Sequence, residues 1–347
     1  MLDTRKETVD NSLIIAASLL SLTTAHRLAD HLAGAMGRIP RLYSEGFGDL
    51  AQLEQLVAHV RDFDAQREPE PIEVRWSGPT SRRGSITARA GTFESPVPPS
   101  VLPAETRQGH LRLMLPAGRE RGAVCLHLAS TGEQGFVFRT LFATPLVDEG
   151  IGALLLENPF YGVRRPRRQF RCSLRSVRDQ FAMNYATVVE ARCLLAWLRR
   201  EGYGPIGVTG YSQGGMMAAF AAALTPVPVV AVPRGAADQA RPIFLDGELS
   251  KSMNWPRLTE QLGDRARDYF GRCLEPVTVS RFPPPADPSL AIIVNARHDS
   301  FVPAQQAIAL HRHWAGSELR WLEGGHVTGA LHLDAQRRAV LDAFARA

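Results

Sequence analysis

The alternation of short apolar runs with stretches of helical periodicity is the feature that most restricts how this chain can fold. The apolar runs, in chain order, are GHLRLML, AVCLHLA, ALLLE, PIGVTG, VPVVAVP, LAIIVNA and ELRWLEG. Strands that are buried on both faces form nearly continuous apolar runs, and the helices between them cover a parallel sheet. The sequence therefore predicts an α/β fold with a mostly parallel central sheet and helices on both faces.

The segments between the strands predict the rest of the organisation. A long helix is expected from about Val177 to Arg200, and a final helix from about Leu333 to Ala345. Residues 235–285 interrupt the alternation, which favours a cap over the carboxyl end of the sheet. Helical spacing near the amino end gives way to a charged link, so residues 1–70 are predicted to be a helical N-terminal extension. Residues 71–347 then form the α/β domain.

Composition excludes several classes of protein. The chain has 347 residues, of which 45% are hydrophobic and 22% charged, so global disorder is excluded. Its net charge of +5 is modest for this length and does not indicate a nucleic-acid partner. Four scattered cysteines match no zinc or disulfide spacing, which predicts no metal site and a reducing, cytoplasmic location. The longest apolar run, Leu13 to Leu22, is too short to span a bilayer and is expected to be a packed helix.

The segment Gly210-Tyr211-Ser212-Gln213-Gly214 carries the chemistry. It has the G-x-S-x-G pattern of a nucleophile elbow, in which a serine occupies a sharp turn between a strand and a helix. An apolar strand precedes it and an alanine-rich helix follows, as that turn requires. The alternative is a glycine-rich turn with a bystander serine. We predict that Ser212 is a nucleophile.

A serine of ordinary pKa needs a base, and the base needs an acid to orient it. In this fold the order is serine, acid, histidine. His326 lies in a GGH segment just beyond the last strand, and Asp299 follows the strand LAIIVNA. These two residues are the predicted base and acid, with Asp287 and Glu323 as alternative acids.

An oxyanion intermediate needs two N–H donors. One should be the amide of Gln213, which follows the nucleophile. The other should come from the loop after AVCLHLA, and the sequence does not decide between Ser130 and Thr131.

An arginine run follows the strand ALLLE. Between Arg164 and Arg178 there are seven arginines and no acid. Arginine binds phosphate through a planar fork, so Arg164 and Arg165 are candidate contacts to an anionic headgroup, and the run is a candidate contact to an anionic membrane surface. The alternative is a solvated face in an arginine-rich chain. Tyr161, just before the run, is expected to shape the pocket wall.

Six motifs resemble a known family when they are taken in order. They are GTFESP, HLASTGEQGF, LENPFYGVRRP, GYGPIGVTGYSQGG, DSFVP and GGH. This set is similar to the alpha/beta hydrolase domain-containing protein 18 family over roughly residues 73–345. The resemblance implies an α/β-hydrolase fold, a triad at Ser212, Asp299 and His326, and a lipid or phospholipid acyl ester as substrate.

One loop departs from the family pattern, because Ser130 replaces a glycine and Glu133 replaces an aspartate. We predict a serine esterase or lipase that forms an acyl-enzyme on Ser212 and uses no metal or organic cofactor. Two alternatives stay open at this point: an acyltransferase with the same triad, and a non-catalytic binding protein on the same fold. The expected partners are a small-molecule or lipid ester and a membrane surface contacted peripherally. The oligomeric state is not predicted.

Overall fold

The computed structural model describes residues 23–33, 41–65, 67–119 and 121–347. Within them, nine strands form one sheet in the order β1-β2-β3-β5-β4-β6-β7-β8-β9. The strands are β1 Arg75–Arg83, β2 Ile86–Glu94, β3 Gln108–Pro116, β4 Val124–Leu128, β5 Gly152–Leu156, β6 Ile206–Tyr211, β7 Val230–Arg234, β8 Ile292–Ala296 and β9 Glu318–Leu322.

The sheet is mostly parallel, as predicted. Strands β4 to β9 pair in parallel, whereas β1, β2 and β3 form an antiparallel edge that joins the rest through β5. Strands β4, β5, β7 and β8 are buried along their whole length. Continuous burial of this kind needs helices on both faces, which is why these strands were recognisable as apolar runs.

Helices fill the connections between the strands. Residues 23–33 form α1, and the others are α2 Leu50–Arg61, α3 Val137–Asp148, α4 Val177–Arg200, α5 Gln213–Ala223, α6 Ala240–Leu245, α7 Trp255–Leu262, α8 Ala266–Leu274, α9 Ala304–His313, α10 His326–Ala330 and α11 Leu333–Phe344. The sequence did not predict α3, which contains Pro145, a residue that usually ends a helix. No helix in the described part of the chain is long and apolar enough to cross a membrane.

The described part of the N-terminal extension shares its core with the sheet. Tyr43, Phe47, Leu53 and Leu56 are buried in the same hydrophobic cluster as the strand residues, and α2 packs against α4. The apolar run Leu13 to Leu22 lies outside the described residues.

The interval 235–285 lies between β7 and β8 and contains α6, α7 and α8. It is the segment for which the sequence predicted a cap. Leu42, which precedes α2, forms an isolated parallel bridge with Met253 of this interval. The cap segment is therefore joined to the N-terminal extension as well as to the sheet.

Arg164 is buried within the fold, which corrects the expectation that the arginine run presents it to an anionic headgroup. Its side chain is fully buried, and its guanidinium forms a two-point pair with Glu190 of α4, at 2.6 and 2.8 Å. It also donates to the carbonyl oxygens of Thr106 and Glu157. Every side of the guanidinium fork is thus used within the fold. The residue joins the segment after β5 to α4 and to the short 3-10 turn Ala104–Thr106 that precedes β3.

We expect Arg164→Met to lower the free energy of unfolding by about 3–5 kcal/mol, because it leaves the Glu190 carboxylate buried without its partner. The double variant Arg164→Met/Glu190→Met should recover much of that loss. Urea denaturation measures both. The matched control is Arg165→Met, which changes an exposed neighbour and should stay within about 0.5 kcal/mol of the wild type. Equal losses for Arg164→Met and Arg165→Met would contradict a structural role for the buried pair.

Candidate active site

Ser212 occupies a sharp turn between β6 and α5. Its backbone has φ +57° and ψ −119°, a left-handed region that costs a non-glycine residue on the order of 1–3 kcal/mol. The flanking glycines permit this turn, since a Cβ on Gly210 would lie 2.3 Å from the backbone of Gly214, and one on Gly214 would lie 2.5 Å from the carbonyl oxygen of Leu128. The elbow predicted from the sequence is present in the backbone.

The three residues predicted as nucleophile, base and acid form one hydrogen-bond chain. His326 Nε2 lies 2.8 Å from Ser212 Oγ, and His326 Nδ1 lies 2.7 Å from Asp299 Oδ2. Each residue follows the carboxyl end of a parallel strand: Ser212 follows β6, Asp299 follows β8 and His326 follows β9. The sequence placed His326 on a loop, whereas it is the first residue of the short helix α10.

Asp299 is held in place by the backbone that follows it. Its Oδ1 accepts hydrogen bonds from the amides of Phe301 at 2.8 Å and Val302 at 2.7 Å, which leaves Oδ2 for the imidazole. The alternative acids are engaged elsewhere: Asp287 caps its own turn at Ser289, and Glu323 pairs with Arg297. Asp299 is therefore the carboxylate that contacts His326.

The imidazole of His326 lies between two aromatic rings. The ring centroids of Tyr211 and Phe301 are 5.3 and 5.1 Å from that of His326, and the Tyr211 hydroxyl donates to the His326 carbonyl oxygen. Burial lowers the pKa of His326, but the charge and hydrogen bond of Asp299, with the charge of Asp30, outweigh burial and raise the pKa above its usual value.

The backbone favours one of the two candidates for the second oxyanion donor. The Ser130 amide already donates to Glu133 Oε2 at 3.2 Å, and Glu133 is paired with Arg139 at 2.7 Å. Ser130 and Thr131 both line the pocket at Ser212, and because the Ser130 amide is already engaged, the Thr131 amide is the better candidate. The amide of Gln213 lies in the first turn of α5, where an N–H has no acceptor within the helix.

The hydrogen-bond chain opens into a large pocket. Its empty volume, counted out to its open mouth, is about 1430 Å³. Its lining includes Ser130, Thr131, Tyr161, Gln213 and, from the cap segment and the last loops, the apolar residues Ala237, Ala240, Ile243, Phe244, Leu249, Val327 and Leu331. Tyr161 thus lines the wall, as predicted, whereas Arg165 is exposed and lies outside the lining.

A second, apolar cavity adjoins the first. It is narrow, with an empty volume of about 620 Å³ counted out to its open side, and it lies among α2, α4, α5, α6 and α8. The two cavities share five lining residues: Gln180, Asn184, Met217, Ala240 and Phe244. Asn184 Oδ1 accepts from Gln213 at 2.8 Å and from Gln180 at 3.1 Å, so a polar band marks the boundary between them.

Asp30 of α1 is the residue beside the triad that sequence reasoning missed. It is fully buried and accepts hydrogen bonds from the backbone behind His326. In the sequence Asp30 is a single acidic residue in a segment of helical periodicity. Such a residue is usually assigned to a solvated helix face, so nothing local indicated its burial. The described residues contain no group of three or more His, Cys, Asp or Glu side chains arranged to hold a metal ion.

Comparisons with known proteins agree with this architecture. A family model described as "alpha/beta hydrolase domain containing 18" matches residues 40–269 and 263–346. Among solved structures, an acetyl xylan esterase from Paenibacillus sp. R4 is similar with a TM-score of 0.58 and 18% identity, over 87% of this chain and 97% of that one. Acetyl xylan esterase 1 from Thermoanaerobacterium sp. JW/SL YS485 has a TM-score of 0.51 and 11% identity, over 86% of this chain and 96% of that one. At these identities the likeness shows the α/β-hydrolase fold.

The raised pKa of His326 predicts a specific pH dependence for the reactivity of Ser212. The imidazole must be neutral to accept the serine proton, so the rate of labelling by a fluorophosphonate should rise with pH around a midpoint above about 6.5, the ordinary value for histidine. Asp299→Asn removes the charge that raises this pKa, so the midpoint should move to lower pH while the maximal rate falls. Asp287→Asn is the matched control and should leave the profile in place. An unchanged midpoint in Asp299→Asn would contradict the assignment of Asp299 as the partner that sets the pKa.

Proposed function

The chain belongs to the alpha/beta hydrolase domain containing 18 family, and on that premise we propose that it is a serine esterase of the lipase type. The proposed substrate is an acyl ester of a lipid or phospholipid. The observation that carries the proposal is the continuous hydrogen-bond chain from Ser212 through His326 to Asp299.

The first half of the proposed reaction forms an acyl-enzyme. His326 Nε2 accepts the hydroxyl proton of Ser212 as Oγ attacks the ester carbonyl carbon. Asp299 holds the imidazole by Nδ1 and stabilises the imidazolium that results. As the tetrahedral intermediate collapses, His326 returns the proton to the leaving alcohol, and the acyl group stays on Oγ.

Two backbone N–H groups would stabilise the negative charge on the tetrahedral oxygen by donating hydrogen bonds to it. We assign these to the amides of Gln213 and Thr131, since the Ser130 amide is engaged by Glu133. The N-terminus of α5 points its first-turn amides at the same place, which adds to the stabilisation of an anion. Loss of a single donor of this kind costs about 10²–10³ in kcat in enzymes of this type.

The second half releases the acid. A water molecule takes the place of the alcohol, and His326 Nε2 accepts its proton as it attacks the acyl carbonyl carbon. The carboxylic acid leaves, and the proton returns to Ser212. The cycle consumes one ester and one water and regenerates the Ser212 hydroxyl and the neutral imidazole.

The walls of the pocket support a lipid-type acyl group. The described lining of the pocket at Ser212 contains no lysine or arginine, and His326 is its one basic side chain. Aliphatic and aromatic side chains form most of the rest. The pocket at Ser212, with about 1430 Å³ counted out to its open mouth, offers burial to a long acyl chain at roughly 0.8 kcal/mol per methylene. The narrow adjoining cavity is almost entirely apolar as well. A small acetyl group would leave most of the pocket at Ser212 without contacts.

The outer surface supports contact with a membrane. Leu331 and Val327 lie at the rim of the pocket and are 75% and 38% exposed. Val163 and Phe170 flank three exposed arginines, Arg165, Arg167 and Arg168, on the loop that follows Tyr161. Exposed apolar side chains interleaved with arginine match the interface of an anionic lipid surface. We therefore propose that the protein contacts such a surface peripherally while it acts.

The proposed reaction is tested first by labelling Ser212. A fluorophosphonate should add its phosphonyl group to the wild type, seen as an increase in intact mass, and not to Ser212→Ala. Hydrolysis of a long-chain p-nitrophenyl ester should fall by at least ~10³-fold in the same variant. Ser289→Ala, which changes an exposed serine hydrogen-bonded to Asp287, is the control and should keep both activities. Absence of labelling in the wild type would overturn the esterase and favour a binding protein.

The membrane contact is tested with vesicles. The triple variant Arg165→Gln/Arg167→Gln/Arg168→Gln should lose most cosedimentation with phosphatidylserine-containing vesicles, and high salt should weaken binding of the wild type. Replacing Arg199, Arg200 and Arg257, which are also on the surface, is the charge-matched control. Binding that is insensitive to salt and to the first triple variant would contradict the proposal.

A further inference from the structure

The carboxylate of Asp30 lies directly behind the catalytic loops. Its Oδ2 accepts hydrogen bonds from the amides of His326 at 2.8 Å and Ser300 at 3.0 Å, and its Oδ1 accepts from the amide of Val327 at 2.9 Å. The residue is 0% exposed. Both oxygens of one buried carboxylate are thus used by three backbone donors.

These three donors belong to the two segments that carry the acid and the base. Ser300 follows Asp299 directly, and His326 is itself one of the donors. The two segments come from different strands, β8 and β9. Asp30 therefore joins the backbone of the acid to the backbone of the histidine, and it does so from a third part of the chain, 296 residues before His326.

The surroundings of Asp30 are fitted to this contact. A Cβ on Gly325 would lie 2.6 Å from Asp30 Oδ2, so the glycine before His326 leaves the space that the carboxylate fills. Helix α1 is also seated by His26, whose Nδ1 lies 3.0 Å from Thr328 Oγ1. On the other side of Asp30, His31 Nδ1 lies 3.3 Å from Glu248 of the cap segment.

Hydrogen bonds to a carboxylate are stronger than those between neutral groups. Three of them on one carboxylate restrict the backbone on both sides of the His326–Asp299 contact. A displacement of about 1 Å in a catalytic group can cost about 10²-fold in rate, so restriction at this place bears directly on catalysis.

We propose that Asp30 is a positioning residue, which aligns His326 and Asp299 by fixing the backbone of both. The inference rests on the proposed esterase function and extends it, because it makes helix α1 part of the working active site. Residues 23–33 precede residue 40, where the match to the family model begins. The chain therefore supplies this support from outside the matched region.

The first test separates positioning from substrate binding. Asp30 does not line the pocket, so Asp30→Ala should lower kcat for p-nitrophenyl butyrate by about 10- to 100-fold and leave KM within about twofold. His31→Gln is the matched control: it removes a neighbouring contact of the same helix, to Glu248, and should keep kcat. Equal losses in the two variants would overturn the proposal, because loosening of the helix would then explain both.

The second test uses Gly325→Ala, which should displace the Asp30 carboxylate without changing Asp30 itself. Alone, it should lower kcat because its Cβ would lie 2.6 Å from Asp30 Oδ2 and force the carboxylate to shift. In the Asp30→Ala background the space is open, so the same change should add little. Strong non-additivity of the two losses is the expected result, and additive losses would overturn the proposal.

A third comparison keeps the proposal testable even where Asp30→Ala fails to fold. Asp30→Asn has the same shape but places an amide N–H₂ against backbone donors. Circular dichroism should show that this variant is folded, and the kinetic assay should show a kcat lowered by about 10- to 100-fold, as for Asp30→Ala. A folded Asp30→Asn with wild-type kcat would overturn the proposal. Fluorophosphonate labelling of the wild type separates the two levels: no labelling rejects the esterase itself, whereas equal labelling rates in wild type and folded Asp30 variants reject only the role of Asp30.

Discussion

The left-handed turn at Ser212 is the constraint on which the site depends. It allows β6 to end and α5 to begin within one residue, so the serine hydroxyl stands at the carboxyl edge of the sheet while the helix amides face the same point. Close packing around the turn offsets the conformational strain of the Ser212 backbone. There is no room for a side chain at Gly210 or Gly214, and a Cβ at Gly215 would lie 2.3 Å from the carbonyl oxygen of Arg234. The glycines and the strained serine are therefore one feature of the fold.

Around this turn, buried carboxylates hold the loops by accepting backbone N–H groups. Asp299 binds two amides of its own loop, and Glu133 binds the amide of Ser130. Asp30 binds one further amide of the Asp299 loop and two amides at the start of α10. Loops at the edge of a parallel sheet have no strand partner there, so their amides need acceptors from side chains. The acids thus give the carboxyl edge of the sheet an order that sheet pairing alone would not supply.

The sequence predicted what depends on local pattern. The strands β4, β5, β7 and β8 were recognisable because they are nearly continuous apolar runs. Helix α4 begins and ends at the predicted residues, and the order of Ser212, Asp299 and His326 follows from strand order. The sequence did not predict contacts between distant segments. Arg164 looked like part of a basic surface because nothing local shows that Glu190 would enclose it, and Asp30 resembled any helical acid. Helix α3, which the sequence did not predict, contains Pro145 only in its last turn, close to where the helix ends.

The position of the cap segment separates two tasks that a single chain must perform. Residues 235–285 lie between β7 and β8. They contribute apolar side chains to the pocket: Ala237, Ala240, Ile243, Phe244 and Leu249. Ser212, Asp299 and His326, by contrast, follow strand ends outside this interval. An insertion there can lengthen, shorten or change its side chains without moving a strand. Within a family that keeps the same reactive edge, divergence in what is bound would accordingly accumulate in this interval first, and the chemistry would persist through it.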